Sequence, residues 1–429
     1  MIRSLHRNLT AQLYSQAVTF AVQLGTVPFL ISAWGVERFG VWLLLTAIPT
    51  YLAFSDFGFT FIAKNDMAIR VARGDREGAL ETFQSIFVLL VILCLGIGAA
   101  LFIALAMTPL GRIFDLGHET ATDARNVLGL QFASVLLYQF FQLFCAGVRC
   151  EGRVATETLI AATARLGDAV IVVAVALAGG GLAAAAVAGL VLRIGTVLGL
   201  RLWLGRQAPW LRLDLAHATR VRLTELAGPS LSYMLVPIST ALLIQAPLIL
   251  LGAVATPSAV ALFGVTRTVS RLGMSAANMV NFAFAPEYSF SLGRSDITRF
   301  RRDLRLHTLI ALAGTVLFLV AGIVFGPLGV RLLSSGHITP ETDLVRLMMV
   351  GVALEMLWSA ALAPLIALNA HKSVAAILML LSLTFVGLGA LAPSELGLAS
   401  AVALVHAAML VVTGIAMSRT LSRLRARQA

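Results

Sequence analysis

The sequence predicts an all-α polytopic membrane protein, with about 12 transmembrane helices in two six-helix lobes around a central cavity. Two observations carry that expectation. Of 429 residues, 59% are hydrophobic and the mean hydropathy is +0.91, yet the formal charge is +11. That charge is also sorted along the chain. Of 32 Lys and Arg, 23 fall in or at the edges of the N-terminal tail, alternate loops and the C-terminal tail, five lie near the other loops and four lie in the middle of apolar stretches. Such an asymmetry is the positive-inside pattern of a multi-pass inner-membrane protein with both termini in the cytoplasm. The basic balance therefore reports orientation, and nucleic acid is not an expected partner.

Spans of roughly 20 apolar residues are expected at 9–33, 39–63, 82–107, 124–149, 155–178, 182–204, 225–251, 257–285, 305–328, 342–368, 374–392 and 396–418. Each must be a helix, because hydrocarbon offers no partner to an unpaired backbone group. The cytoplasmic loops then include 65–80, 206–222 and 294–304, and the external ones include 110–122 and 330–340. The first span is too long for the apolar core of a cleavable signal. Cys94, Cys145 and Cys150 are too dispersed for a disulfide framework or a metal site.

The basic stretch around 206–224 reads as a linker between an N-terminal lobe, 1–205, and a C-terminal lobe, 225–429. Landmarks recur between them at a nearly constant offset. Pro109-Leu110-Gly111 matches Pro327-Leu328-Gly329 at 218 residues, Tyr138 and Val154 match Trp358 and Val374 at 220, and Asp66 and Asp75 match Glu287 and Asp296 at 221. Two bundles of equal topology with a cavity between them form a transporter arrangement.

Enzymatic signatures are missing. Lys64 and Lys372 are the only lysines and neither follows glycine, so no Walker A loop exists. No HExxH or Asp-x-Asp motif occurs, and no metal or other cofactor is expected.

Ionisable groups within spans mark functional positions or structural pairs. Arg267 and Arg271 stand one turn apart in the eighth span, with Asn278 on the same face. Two guanidinium forks suit a diphosphate, which accepts bidentate hydrogen bonds. Alternatively, they are neutralised by Glu355 of the tenth span. Arg165 and Asp168 lie at i,i+3 in the fifth span with Arg193 at similar depth in the sixth. They read as an ion cluster or as part of a cationic lining. Gln12, Gln16, Thr19, Gln23 and Thr26 form one face of the first helix. Gln16 and Gln23 on that face either hydrogen-bond neighbouring helices together or line a hydrated, sugar-accommodating path. Asp56 could hold a coupling cation (Na+ or H+) or pair with a basic neighbour.

The first 150 residues resemble the polysaccharide-transporter branch of the multidrug/oligosaccharidyl-lipid/polysaccharide (MOP) exporter superfamily. The resemblance rests on Gln23-x-x-x-x-Pro28, Trp34-Gly35-x-x-x-Phe39-Gly40-x-Trp42, Asp56-Phe57-Gly58, Asn65-Asp66-Met67, Gly74-Asp75-Arg76 and Glu151-Gly152-Arg153. It implies two six-helix lobes with a V-shaped cavity, as in the MATE exporters of the same superfamily. It also implies translocation of polyprenyl-diphosphate-linked oligosaccharides for O-antigen, capsule or exopolysaccharide, beside polysaccharide polymerase and assembly proteins. Some related flippases place arginines of the first, second and eighth spans in the cavity; Arg267 and Arg271 fit the eighth-span position, whereas the first span here offers glutamines, with Arg3 and Arg7 at its mouth. The alternatives are a drug/cation antiporter of this superfamily and a non-transporting scaffold for glycan assembly. A major-facilitator transporter is a further alternative, suggested by Gly74-Asp75-Arg76-Glu77-Gly78.

Overall fold

A computed structural model describes residues 2–293, 296–368, 372–391 and 393–426. Arg294 and Arg427, both among the basic flanks of the sequence, lie outside the described residues. All regular structure in the described residues is helical. The chain separates into two compact units, Met1–Met234 and Leu235–Ala429. The segment 206–224, expected as a linker, lies within the first unit, and the division falls inside a helix.

The first unit contains α1 (Ile2–Thr50), α2 (Phe59–Ala72), α3 (Arg76–Met107), the short α4 (Leu110–Ile113), α5 (Ala121–Cys150), α6 (Val154–Leu177), α7 (Leu182–Gln207) and the start of α8 (Arg220–Gly252). The second contains the rest of α8, then α9 (Pro257–Gly293), α10 (Ile297–Leu333), α11 (Thr342–Ala367), α12 (Lys372–Gly389) and α13 (Glu395–Ala426). Ten helical stretches among the described residues are long and apolar enough to cross a membrane. Two features separate this from the twelve expected spans. The stretch Thr10–Phe54 merges the first span with the start of the second, although Gly35 at φ 78° kinks it between them. The other feature is α9, whose Arg267, Arg271, Asn278 and Asn281 reduce its apolar character.

The second expected span is not one continuous helix. After Thr50 comes a 3-10 turn, Tyr51–Phe54, and the helical path then breaks at Ser55–Gly58. Phe57 and Gly58 have φ of 50° and 80°, incompatible with a continuing α-helix. The buried Asp56 reorganises the chain there: its Oδ1 accepts from Gly58 N (3.1 Å), and its Oδ2 accepts from Thr60 N (2.9 Å) and from the Thr60 hydroxyl. A carboxylate at this place satisfies the orphan donors that a helix start exposes. Its partners are thus backbone and hydroxyl donors. Gly58 is required twice over, since an added Cβ would also lie 2.8 Å from Met234 Cγ and 3.0 Å from Ser230 O.

Each unit repeats one packing scheme. In the first, α5 packs against α2, α3 and α7; in the second, α11 packs against α9, α10 and α13. The matched acids perform equivalent tasks. Asp75 caps α3 by accepting from Gly78 N (2.8 Å), and Asp296 caps α10 by accepting from Arg299 N (2.9 Å). The Gly78 amide, helped by Arg70, holds the Asp75 carboxyl below the usual carboxylate range. Asp66 receives Arg70 (3.2 Å) and Glu287 receives Arg299 (2.6 Å). The Pro-Leu-Gly landmark behaves differently in the two units: the chain breaks between α3 and α4 at Thr108-Pro109, whereas α10 continues through Pro327.

The segment after α7 is strapped to the start of α3. Buried Gln84 donates to Arg212 O (3.0 Å) and Asp214 (2.5 Å) and accepts from His217 N (2.8 Å). Ser85 accepts from Thr219 N (2.9 Å), and Glu81 from the Thr219 hydroxyl (2.6 Å). Arg222, 5% exposed, reaches Thr82 (2.8 Å), Glu225 (2.5 Å) and Asp66. Beneath this strap, Leu204, Ala208 and Leu211 are buried with Phe83, Phe144 and Cys145.

The break at Asp56 generates a stability prediction. Asp56→Ala should cost about 1–2 kcal/mol through loss of the cap. Gly58→Ala should cost about 1–3 kcal/mol through left-handed backbone strain alone, before the Met234 clash is added. Both should lower the melting temperature of the detergent-purified protein. Unchanged melting in both variants would mean the break is not held by these contacts.

Candidate functional site

Two intramembrane polar clusters stand out, one in each unit. The cluster of the first unit is built on α6. Asp168 and Arg165 lie on one face of that helix, and Arg193 enters from α7. Arg193 Nη2 donates to Asp168 Oδ2 at 2.5 Å, and its guanidinium lies 4.7 Å from the centre of the Tyr138 ring of α5. The aromatic face and the carboxylate together replace the hydration that Arg193 loses. Arg165 is bound differently. Its Nη2 donates to Ser15 O and Ser15 Oγ of α1, both at 3.2 Å, and no described carboxylate pairs with it.

Toward the N-terminal end of α6, in the same lining, Glu157 is 5% exposed and is shared by two cations. Lys64 Nζ lies 3.2 Å from its Oε1, and Arg149 Nη2 lies 2.6 Å from its Oε2. These groups surround a cavity of about 440 Å³, within the ~300–1,000 Å³ of small-molecule sites. Its lining holds Arg149, Arg165 and Arg193 against Glu157 and Asp168. The described lining is therefore cationic by one charge, and Lys64 behind Glu157 adds another.

The cluster of the second unit is closed by its own ion pair. Arg271 Nη1 donates to Glu355 Oε2 at 3.0 Å. His406 of α13 lies 3.7 Å from the same oxygen through Nε2, while its Nδ1 accepts from Trp358 Nε1 at 3.1 Å. Trp358 donates, so Nδ1 is the acceptor and the neutral ring carries its proton on Nε2, toward Glu355. Arg267 donates to Ile244 O (2.6 Å) and to Gln245 Oε1 (3.3 Å). The cavity among these residues is about 60 Å³, room for only a few water molecules.

The structure thus brings Arg165, Asp168 and Arg193 together in one unit, and Arg267, Arg271 and Glu355 together in the other. Gln16 and Gln23 are half-buried on α1, and Gln16 follows the Ser15 that receives Arg165. Asn278 is half-buried on α9, away from both pockets; the polar contacts continue three residues on, at Asn281, whose Oδ1 faces His307 Nε2 at 3.0 Å. Asp56 lies in the break before α2 and lines neither pocket. Sequence reasoning passed over His406 and the Lys64–Glu157–Arg149 set. A histidine in mid-span was an available signal for His406. The Lys64–Glu157–Arg149 set has the sequence pattern of ordinary flanking charge, because its members lie near helix ends.

Neither a protein-family model nor a curated protein matches the chain. Solved structures match it over nearly its full length. An inward-facing multidrug resistance MATE family transporter of the MOP superfamily is similar, with TM-score 0.74 and 16% identity over 95% of this chain and 96% of that one. MATE in complex with MaL6 is similar with TM-score 0.65 and 16% identity, covering 98% and 96% of the two chains. A MOP superfamily transporter from Pyrococcus furiosus, with a binding pocket of reverse polarity that suggests a different function, gives TM-score 0.63 and 16% identity over 99% and 96%. The chain therefore has the fold of MATE and other MOP-superfamily transporters, and it is a multi-pass membrane protein.

Proposed function

We propose that the protein moves polyprenyl-diphosphate-linked oligosaccharides across the inner membrane by alternating access, for the assembly of a surface polysaccharide. One observation carries this reading: an intramembrane cavity of about 440 Å³ has more guanidinium than carboxylate groups in its lining, and Arg165 meets no described carboxylate. A diphosphate can supply the missing negative charge through bidentate hydrogen bonds. Arg193 stays fixed by Asp168 and Tyr138 and adds field, while Gln16, beside the lining residue Ser15, offers an amide donor and acceptor to sugar hydroxyls at the rim of the cavity. An inside-negative potential assists outward movement of the anion by about 2.3 kcal/mol per charge per 100 mV. Fold likeness alone supports a drug/cation antiporter equally well. Such an antiporter needs a net acidic site, and the charge of this cavity is opposite. The reverse-polarity pocket of the Pyrococcus furiosus neighbour is consistent with a fold that serves substrates of either sign.

Arg165→Ala should reduce surface glycan at least about tenfold, a loss of ~1.4 kcal/mol of binding, in a strain lacking its own flippase and at normal protein abundance. Arg165→Lys should recover only part of it, because a point charge cannot reproduce the fork. Full activity of Arg165→Ala would remove the reading.

Arg271 should behave differently. Arg271→Ala leaves Glu355 buried without its cation and should destabilise the protein by about 3–5 kcal/mol. Arg271→Ala combined with Glu355→Gln should restore abundance and melting temperature. A stable Arg271→Ala single variant with lost transport would instead place Arg271 on the substrate.

The basic loops are assigned to the cytoplasm. With Cys94, Cys145 and Cys150 replaced, Ser335→Cys should react with an impermeant thiol reagent in intact spheroplasts and Ala216→Cys should not. The reverse pattern would invert the orientation.

A further inference from the structure

The charged cavity has an apolar counterpart on the other side of α6. Between α6 and α7 lies an open groove of about 650 Å³. Leu159, Thr163 and Gly167 line it from α6, and Leu192, Gly199 and Trp203 from α7. Glu157, Ala161, Arg165 and Asp168 point from α6 into the charged cavity, and Ala164 borders both spaces. One helix therefore presents an apolar trough on one face and a cationic chamber on the other.

The groove is polarised along its length. Arg153 precedes Thr156 by three residues and Arg206 follows Trp203 by three, so both continue the faces that line the groove. They stand at the same end. The Arg153 guanidinium lies 5.6 Å from the centre of the Trp203 ring, and Arg206 is exposed. From Arg153 to Gly167, and from Leu192 to Arg206, the rise is about 21 Å at 1.5 Å per residue. That is one leaflet, half of a bilayer of about 40–45 Å including headgroups. An apolar trough one leaflet deep with a cationic mouth matches an amphiphile that has a chain and an anionic head.

The groove is also kept empty of protein. An added Cβ at Gly199 would meet nothing within 4 Å, and one at Gly167 only Leu192 Cδ2 at 3.4 Å. Close helix packing does not explain glycine at these positions, where it weakens a helix by roughly 1 kcal/mol relative to alanine.

We propose that the α6–α7 groove is the loading site for the prenyl chain of the substrate. In it, the first prenyl units lie between Leu159 and Leu192 and the diphosphate rests first on Arg153 and Arg206. The charged cavity behind α6 receives the diphosphate afterwards. This assignment rests on the lipid-diphosphate reading above, and the test separates the two.

The full-length protein in nanodiscs is irradiated with a prenyl diphosphate carrying a diazirine in its chain, and in parallel with a diazirine phosphatidylglycerol. Prenyl adducts should map to 156–167 and 192–203 and exceed phospholipid adducts there. Gly167→Leu with Gly199→Phe fills the groove and should cut the prenyl adducts about tenfold, equivalent to ~1.4 kcal/mol. Arg153→Gln with Arg206→Gln leaves the groove itself open and should cut them several-fold. Size-exclusion profiles establish that the variants are folded. Prenyl adducts concentrated on another face would overturn the groove and leave the flippase reading intact. Equal labelling by the phospholipid would make the groove a general lipid contact and overturn the proposal. Normal glycan export by the filled variant would do the same, whereas loss of export in Arg165→Ala alone would preserve the transport reading. A filled variant that changes oligomeric state would show that the groove seats another helix and would likewise overturn the proposal.

Discussion

A polar group carried into hydrocarbon has to find its partner within protein. That constraint organises most of what distinguishes this chain from a stack of apolar helices. Asp56 exists inside the bundle because a broken helix needs its exposed donors satisfied. Arg193 is tolerated because a carboxylate and an aromatic face enclose it. Arg271, Glu355 and His406 form a closed set in which each group answers another. Arg165 departs from the pattern. Its partners are neutral oxygens of Ser15, and this difference separates the open chamber of the first unit from the closed ion-pair set of the second.

The two units reach their polar sites by related means. Tyr138 of α5 lies beneath a cation from α7, and its sequence counterpart Trp358 of α11 donates to a histidine from α13. An aromatic residue on the central helix thus orients a basic residue from the same neighbouring helix in both units. The chemical outcomes diverge because of the partners. The first unit keeps a roomy chamber, and the second collapses onto its ion pair. The repeat preserves the scaffold more strictly than the charges it holds.

Much of the fold was legible in the sequence because hydropathy and charge sorting obey simple physics. The pairing of acids at a constant offset was equally readable, and Asp75 and Asp296 do cap equivalent helices. The break at Ser55–Gly58 was less accessible. Asp-Phe-Gly in an apolar run has the pattern of a span with one charge until backbone angles reveal two residues at positive φ. Of the candidate site, the clustering of Arg165, Asp168 and Arg193 followed from depth and spacing. Depth also offered Glu355 as a partner for Arg271, but that this alternative holds, and that Arg165 meets no described carboxylate, depends on which helices touch. His406 belongs with these, since its role emerges only when α13 is packed against α11.

The strap after α7 has a consequence for biosynthesis. Gln84 and Ser85 are buried near the start of α3, yet their polar groups meet backbone and side chains between Arg212 and Thr219. A nascent chain that has delivered only its first six spans still lacks those partners. The first unit can close only after the strap has left the ribosome, and it can then close before any helix of the second unit is complete. Domains generally fold as units during synthesis, the N-terminal one first. The strap is therefore a late piece of the first unit, followed in that unit only by the start of α8, whose Ser230 and Met234 pack on Gly58.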